Sequence, residues 1–359
     1  MVNPVMPAPG PARRRLVGLG LVLGSFACAP DAPTGPAMEP VTAAPAITYS
    51  VVRLGALGGT VGEASDMVNG RIVGYAETGD GDFHAFLWQN GLMQDLGALP
   101  NSVITSSRAI ALNSAGQVVG FSLAELAGGG SRDHAFLWQN GTMLDLGTLP
   151  GGLFSRALDI NDAGVIVGFA ENAAGNNRAV RWRNDHIENL GTLGGLSSAA
   201  TGINASGAIV GLLSTRDDMS WAFVWRGGTM RRLGTLAGGG GAQANAINAS
   251  GQIVGAAIAK SGFQHAVLWD GGKTIDLGVL PGDTESAALD IDDAGRITGY
   301  SSANSGTRTR VFLWEKGVMR NLGNSAGKPN RALGIAPAGH LVGSSTEGGS
   351  QVAVLWRRQ

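Results

Sequence analysis

Cysteine occurs once in the 359 residues, which rules out an internal disulfide framework and any metal cluster built on several cysteines. Charge is sparse: 15% of residues, 26 basic against 27 acidic, for a formal net charge of −1. Without a basic excess, neither nucleic acid nor an anionic membrane surface is the expected partner. Aromatic residues make up only 6%, and no stretch carries a sustained helical period. No apolar run approaches the ~20 residues that a membrane-spanning helix needs. Glycine, by contrast, is plentiful at 58 residues, and without the every-third-residue period of collagen it should mark turns and bulges. A 44% hydrophobic content suffices for a full core. The length permits two domains, but a repeat array of this size can be one.

The N-terminal stretch reads as an export leader. Arg13-Arg14-Arg15 precedes a 12-residue apolar run from Leu16 to Ala27, and Cys28 closes it. The pattern resembles a bacterial lipoprotein signal with Cys28 as the acylated residue. Ser25 and Phe26 depart from the usual residues before such a cysteine, so a plain secretory signal stays open as the alternative. Either leads to an exported protein, in the cell envelope or outside the cell, with membrane contact only through a lipid. Residues 29–47 hold Pro30, Pro33, Pro36, Pro40 and Pro45 among alanines and should form a semi-rigid tether. The expected organisation is therefore a leader over 1–28, a tether over 29–47 and a folded domain over 48–359.

That domain is one sentence repeated seven times. His134-Ala135-Phe136-Leu137-Trp138-Gln139-Asn140-Gly141 leads into Asp145-Leu146-Gly147-Thr148-Leu149-Pro150-Gly151-Gly152, and HAFLWQNG stands again at 84–91. Between copies lies a second phrase, clearest as Ile160-Asn161-Asp162-Ala163-Gly164-Val165-Ile166-Val167-Gly168. Its closing glycine recurs at 74, 120, 168, 211, 255, 299 and 343. The tryptophan recurs at 88, 138, 182, 225, 269, 314 and 356, and the Leu-Gly glycine at 55, 97, 147, 191, 234, 278 and 323. Each repeat predicts four short strands, in the third copy Arg156–Asn161, Val165–Glu171, Arg178–Arg183 and Ile187–Leu193, rich in β-branched and aromatic residues.

Turn chemistry supports the strands. Asn113, Asn161, Asn204 and Asn248 each begin a four-residue turn closed by glycine, the asparagine bonding backbone and the glycine supplying positive φ. These residues read as turn-makers; a calcium loop at Asn161-Asp162 or Asp292-Asp293 lacks the other spaced carboxylates. The tryptophans read as core. His134 has Arg178, Trp221 and Arg310 as equivalents, which excludes a shared metal site and suggests a surface position at a strand start.

A four-stranded repeat of this length predicts a seven-bladed β-propeller, all-β, rather than an open solenoid. The chain ends decide. The last copy stops after Trp356 without its Leu-Gly strand, and a supernumerary Leu-Gly strand lies at 49–57. That strand should complete the last blade and remove a free edge.

HAFLW, the INxxGxIVG phrase and the DLGTLPGG phrase together resemble the bacterial HAF-repeat family of probable extracellular repeats, over about 49–357. The resemblance implies an extracellular setting and a repeat architecture. It implies no activity, cofactor or site residues.

Positions that differ between copies are where function should sit. One reads Arg108, Arg156, Ala199, Gln243, Ala287, Arg331; its neighbour reads Ala111, Asp159, Gly202, Ala246, Asp290, Gly334. On first strands lining a channel, Arg108, Arg156 and Arg331 would stand at the mouth and Asp159 and Asp290 further in. Arginine clusters suit carboxylate or phosphate recognition. The bland reading makes them solvated strand ends, or partners of the two aspartates. No metal site and no cofactor is implied, and a monomer is expected. The preferred function is a non-enzymatic binding or scaffold module for an unidentified envelope or extracellular ligand. The alternative is a propeller hydrolase or lyase on an extracellular polymer, with acid and base drawn from Asp159, Asp290, Asp283 and Glu285.

Overall fold

The structure, a computed structural model, describes residues 47–100, 105–126, 128–216, 219–303, 309–322 and 331–359. The leader, Cys28 and the tether up to residue 46 lie outside the described residues, as does Gly323. Over the rest runs a ring of seven four-stranded antiparallel sheets. Blades 1 to 6 span 58–95, 107–145, 155–191, 197–232, 242–278 and 285–321, and blade 7 joins 331–358 to 49–53. The inner strands of successive blades touch around the whole circle, the first meeting the last. Closure is as the sequence predicts: Tyr49–Arg53 pairs antiparallel with Ser350–Arg358, Val51 facing Trp356.

Strand limits shift by a residue or two. Blade 3 comprises Ser155–Ile160, Ile166–Glu171, Asn177–Arg183 and His186–Gly191. In blades 1, 2 and 4 the outer strand ends at Asp95, Asp145 and Arg232, before the Leu-Gly pair. In blades 1 and 2 the aspartate side chain accepts the Gly97 or Gly147 N–H at 2.7 Å.

The repeated Val-Gly has a physical cause. Every inner strand carries a β-bulge, in blade 3 between Ala157 and Asp159. The bulge drives the carbonyl of Arg156 against Gly168, where a Cβ would sit 2.0 Å from that oxygen. The other six Val-Gly or Thr-Gly glycines meet the same obstruction at 1.8–2.0 Å. Only glycine fits, and the opposing alanine (Ala109, Ala157, Ala200, Ala244, Ala288, Ala332) is buried.

Polar staples join the blades. The hydroxyls of Ser107, Ser155, Ser198 and Ser286 accept the N–H of Ala85, Ala135, Ala179 and Ala266 in the preceding blade and donate to its Leu-Gly carbonyl. The turn asparagines do more than make turns. Nδ2 of Asn113, Asn161, Asn204 and Asn248 donates to the carbonyl of the equivalent residue one blade on, at 3.0–3.2 Å. The apolar clusters straddle the seams too: Val73 and Ala85 of blade 1 share one with Phe136 and Trp138 of blade 2.

The histidine expectation needs correction. His84, His134 and His265 are half-buried, and Nδ1 of each meets the outer-strand Asp95, Asp145 or Asp276 at 2.8–2.9 Å. The hydrogen bond to Asp145, then its charge, raises the His134 pKa above the usual value against the opposing effect of burial. These histidines lock the third strand to the outer one.

Candidate functional site: the channel and the seams at its mouth

Because the bulge adds one residue per inner strand, it aims one side chain per blade at the axis. Ser65, Ile110, Leu158, Thr201, Asn245, Leu289 and Leu333 ring a cavity of about 400 Å³. Two polar members are tied to neighbouring blades: Thr201 Oγ1 donates to Ala244 O at 2.9 Å, and Asn245 Nδ2 to Ala288 O at 2.7 Å.

Asp159 and Asp290 line this cavity, as the sequence expected, and Asp66 joins them. Each carboxylate accepts two backbone N–H groups. Asp159 takes Ile160 at 2.8 Å and Ile203 of the next blade at 2.7 Å. Asp290 takes Ile291 and Ile335, both at 2.8 Å; Asp66 takes Met67 at 2.7 Å and Leu112 at 3.1 Å. Burial pushes Asp66 up to about 6, Asp290 to about 7 and Asp159 to about 8. The backbone donors pull each one back down. The charge of Asp66 raises both of the others, and that of Asp290 raises Asp159. All three are half-buried blade-to-blade clips that keep a proton to higher pH than an ordinary aspartate, Asp159 the most firmly. Asp66 escaped the sequence reading because blade 1 has a two-residue Asn69-Gly70 turn, which shortens the distance to Gly74. The signal was there: Ala64-Ser65-Asp66-Met67 matches Ala157-Leu158-Asp159-Ile160 and Ala288-Leu289-Asp290-Ile291.

Of the three arginines expected at the mouth, only Arg108 lines this cavity. Arg108 is stacked over Tyr75 at 4.2 Å and near Phe83 at 5.8 Å. Arg156 lies 4.1 Å from the Phe121 ring and 5.1 Å from Phe154, and its Nε donates to Asp133 at 2.9 Å. Its acid partner is thus Asp133 of the preceding blade, and the aspartates further in are held by backbone instead. Arg331 is exposed. Arg108 and Arg156 plug the seams between blades 1 and 2 and between blades 2 and 3.

Where the same position is Ala199 or Gln243, the seam stays open. Between blades 3 and 4 a cavity of about 160 Å³ is lined by Phe169, Asn177, Ser198, Ala199 and Leu212. Between blades 4 and 5 one of about 230 Å³ is lined by Met219, Ser220, Gln243, Ala256 and Gln264. Both are lined by uncharged residues. The sequence reading had no signal for them beyond small residues where arginine stands elsewhere.

Of the other acids considered, Asp283 is buried and paired with Arg310 Nη2 at 2.7 Å, and also accepts the Ser301 hydroxyl at 2.8 Å. Glu285 begins the inner strand of blade 6 and is half-buried. Among the described residues no group of three His, Cys, Asp or Glu side chains could hold a metal ion. Among the described residues no helix is long and apolar enough to cross a membrane.

No family model matches the chain, and no curated protein matches it. Solved structures do. The chain is similar to the β-propeller domain of the Trilobed protease from Pyrococcus furiosus, described as having an open velcro topology. That likeness has a TM-score of 0.54 and 9% identity, covering 83% of this chain and 95% of that one. It is similar to the acylaminoacyl peptidase of Pyrococcus horikoshii (TM-score 0.53, 10% identity), covering 84% of this chain and 52% of that one. TolB from Acinetobacter baumannii gives a TM-score of 0.49 at 14% identity, with 72% of this chain covering 65% of TolB. At these identities the likeness is one of fold, and it supports the propeller alone. Where the Pyrococcus furiosus domain is described as open, this ring is sealed by Tyr49–Arg53.

Proposed function

We propose that this chain is an exported HAF-repeat propeller, tethered through Cys28 to the cell envelope, that binds a ligand or scaffolds a partner and is not an enzyme. One observation carries the reading. Asp159, Asp290, Asp66, Arg108, Arg156 and Asp283 are each engaged in holding the fold, while the unfilled space at the mouth is lined by Phe169, Leu212, Gln243, Ala256 and serines. A groove of this kind offers shape and neutral hydrogen bonds to a small polar ligand, and no paired acid and base to transform it.

The test is a glycan and metabolite binding screen on the full chain, repeated with Ala199→Arg/Gln243→Arg, which installs the plugs of blades 2 and 3. A ligand bound by the wild type and lost in the plugged variant supports the reading; a ligand indifferent to the plugs refutes the seams as its site. Cys28→Ser should move the protein from the membrane fraction to the soluble one, and unchanged partitioning would remove the tether.

A second reading, a hydrolase or lyase, draws on the raised pKa values of Asp159 and Asp290 in one cavity. It demands turnover of an extracellular polymer that disappears in Asp159→Asn while the fold persists.

A further inference from the structure

The turn face, opposite the channel mouth, carries a different opening in the seam between blades 4 and 5. It differs from the seam beside it in what lies over the tryptophan. Between blades 3 and 4, Arg181 lies 4.6 Å from the Trp225 ring, and its Nε donates to Glu188 at 2.6 Å. One blade further on, the equivalents of Arg181, Trp225 and Glu188 are Val224, Trp269 and Arg231. Leucine holds the position of Val224 in blades 1, 2, 5 and 6, so Val224 is the shortest side chain there, and an arginine faces it where blade 3 has an acid. A groove of about 770 Å³ lies in this seam, lined by Arg226, Arg231, Arg232, Thr229, Ser250 and Asp270, with Val224 and Leu233 in its wall.

The groove carries unneutralised positive charge. None of its three exposed arginines makes an ion pair among the described residues; Arg232 lies 5.0 Å from the Trp221 ring. The single acid, Asp270, accepts Gln252 Nε2 at 3.0 Å. Trp269 forms part of the buried lining, its Nε1 donating to Gly234 O at 2.7 Å. The aliphatic part of the wall, Val224 and Leu233, is half-buried and too small to take an acyl chain. What remains is a fork of guanidinium groups beside two hydroxyls and the glycine turns Gly251, Gly271 and Gly272. That chemistry fits carboxylates carried on a polyhydroxylated chain.

We propose that this groove binds an acidic oligosaccharide, its uronate carboxylates held by Arg226 and Arg231. The site is independent of the mouth seams, being on the other face and of opposite character.

The experiment is calorimetric titration of the full chain with short polygalacturonate oligomers, against neutral dextran oligomers as the uncharged comparison. Saturable binding of the uronates only, weakening as salt rises, is expected. Arg226→Gln/Arg231→Gln should lower the affinity at least tenfold, whereas Arg132→Gln/Arg183→Gln, an equal charge change at exposed arginines elsewhere, should leave it unaltered. Val224→Arg/Arg231→Glu, which rebuilds the filled seam of blades 3 and 4, should also abolish binding with the thermal midpoint retained. Absence of uronate binding by the wild type, or equal losses in the two Gln pairs, overturns the proposal. So does tighter capture of phosphatidylglycerol vesicles through the same arginines. The Ala199→Arg/Gln243→Arg variant should still bind the uronates, so failure here and failure of the mouth-seam reading are separable.

Discussion

The seam between blades 2 and 3 and the seam between blades 4 and 5 share a backbone and differ in what fills it. Both have the bulged inner strand, the obstructed glycine and a turn-asparagine bond across the seam, Asn113 to Asn161 in the first and Asn204 to Asn248 in the second. In the first, Arg156 packs on Phe121 and Phe154 and pairs with Asp133, leaving no room. In the second, Gln243 leaves a cavity at the mouth, and Val224 with Arg231 leaves another on the turn face. The scaffold is therefore uniform around the ring, and whether a seam is structural or open depends on one or two side chains.

The largest effect should come from attacking what the two seams share. Gly168→Val and Gly255→Val each push a side chain into a backbone carbonyl that cannot retreat. Each should cost about 3 kcal/mol or more in urea unfolding, equally in the filled and the open seam. A marked inequality would mean that the seams do not share one scaffold.

Next in size is the pH response of the channel clips. Their folded pKa values, about 6, 7 and 8, lie above the ordinary carboxyl value of 3.8, so the folded state holds protons more tightly than the unfolded one. Stability should be fullest below pH 4 and fall as pH rises through 6 to 8. Asp159→Asn/Asp290→Asn keeps one of the two acceptor oxygens at each site and cannot ionise, so it should lower stability at every pH but flatten that fall. Urea midpoints at pH 5 and pH 8.5 decide it, and a flat wild-type profile would contradict the burial of these groups.

Smaller and again symmetric should be Asn113→Ala and Asn204→Ala, each leaving a buried carbonyl one blade on without its donor. About 1–3 kcal/mol is expected from chemical unfolding. The smallest effect separates the seams: Arg156→Ala should cost about 1–2 kcal/mol through its ring contacts and ion pair. Ala199→Arg, entering an existing cavity, should change stability by less than about 1 kcal/mol. If Ala199→Arg proves as costly as Arg156→Ala, the cavity beside it is not usable space.

The fold was legible because its constraints are local and repeated. The Asn-to-Gly turn, the bulge-facing glycine and the stray Leu-Gly strand at 49–57 each leave a fixed residue at a fixed spacing, and together they predict seven blades and the closure. The site was legible only in part. Asp159 and Asp290 do face the axis, but the role of Arg156 depends on Asp133 and Phe121, which nothing in its own repeat announces. His134 read as a surface residue because its partner, Asp145, belongs to a different phrase of the repeat. The open seams were hardest, since they are written as absences: alanine where arginine stands elsewhere, and valine for Arg181. Internal comparison finds such places only once the geometry says what the larger residue was filling.

The chain of turn asparagines reaches forward from blade 2 to blade 6, after which Arg296 Nη2 donates to Pro337 O and Ala336 takes the asparagine's place in blade 7. Among the described residues no such rung leads from blade 7 to blade 1. That junction relies on Glu63 gripping Ser344 and Gln351 and on a shared apolar cluster, while the closing strand is held inside blade 7 by its pairing and by Tyr49 Oη donating to Gly339 O. Mechanically the molecule is a hoop with a clasp, and a hoop under load parts at its clasp. Heat or pulling on the N-terminal side of Tyr49 should open it there first, with the amides of 49–53 exchanging ahead of those in blades 3 and 4.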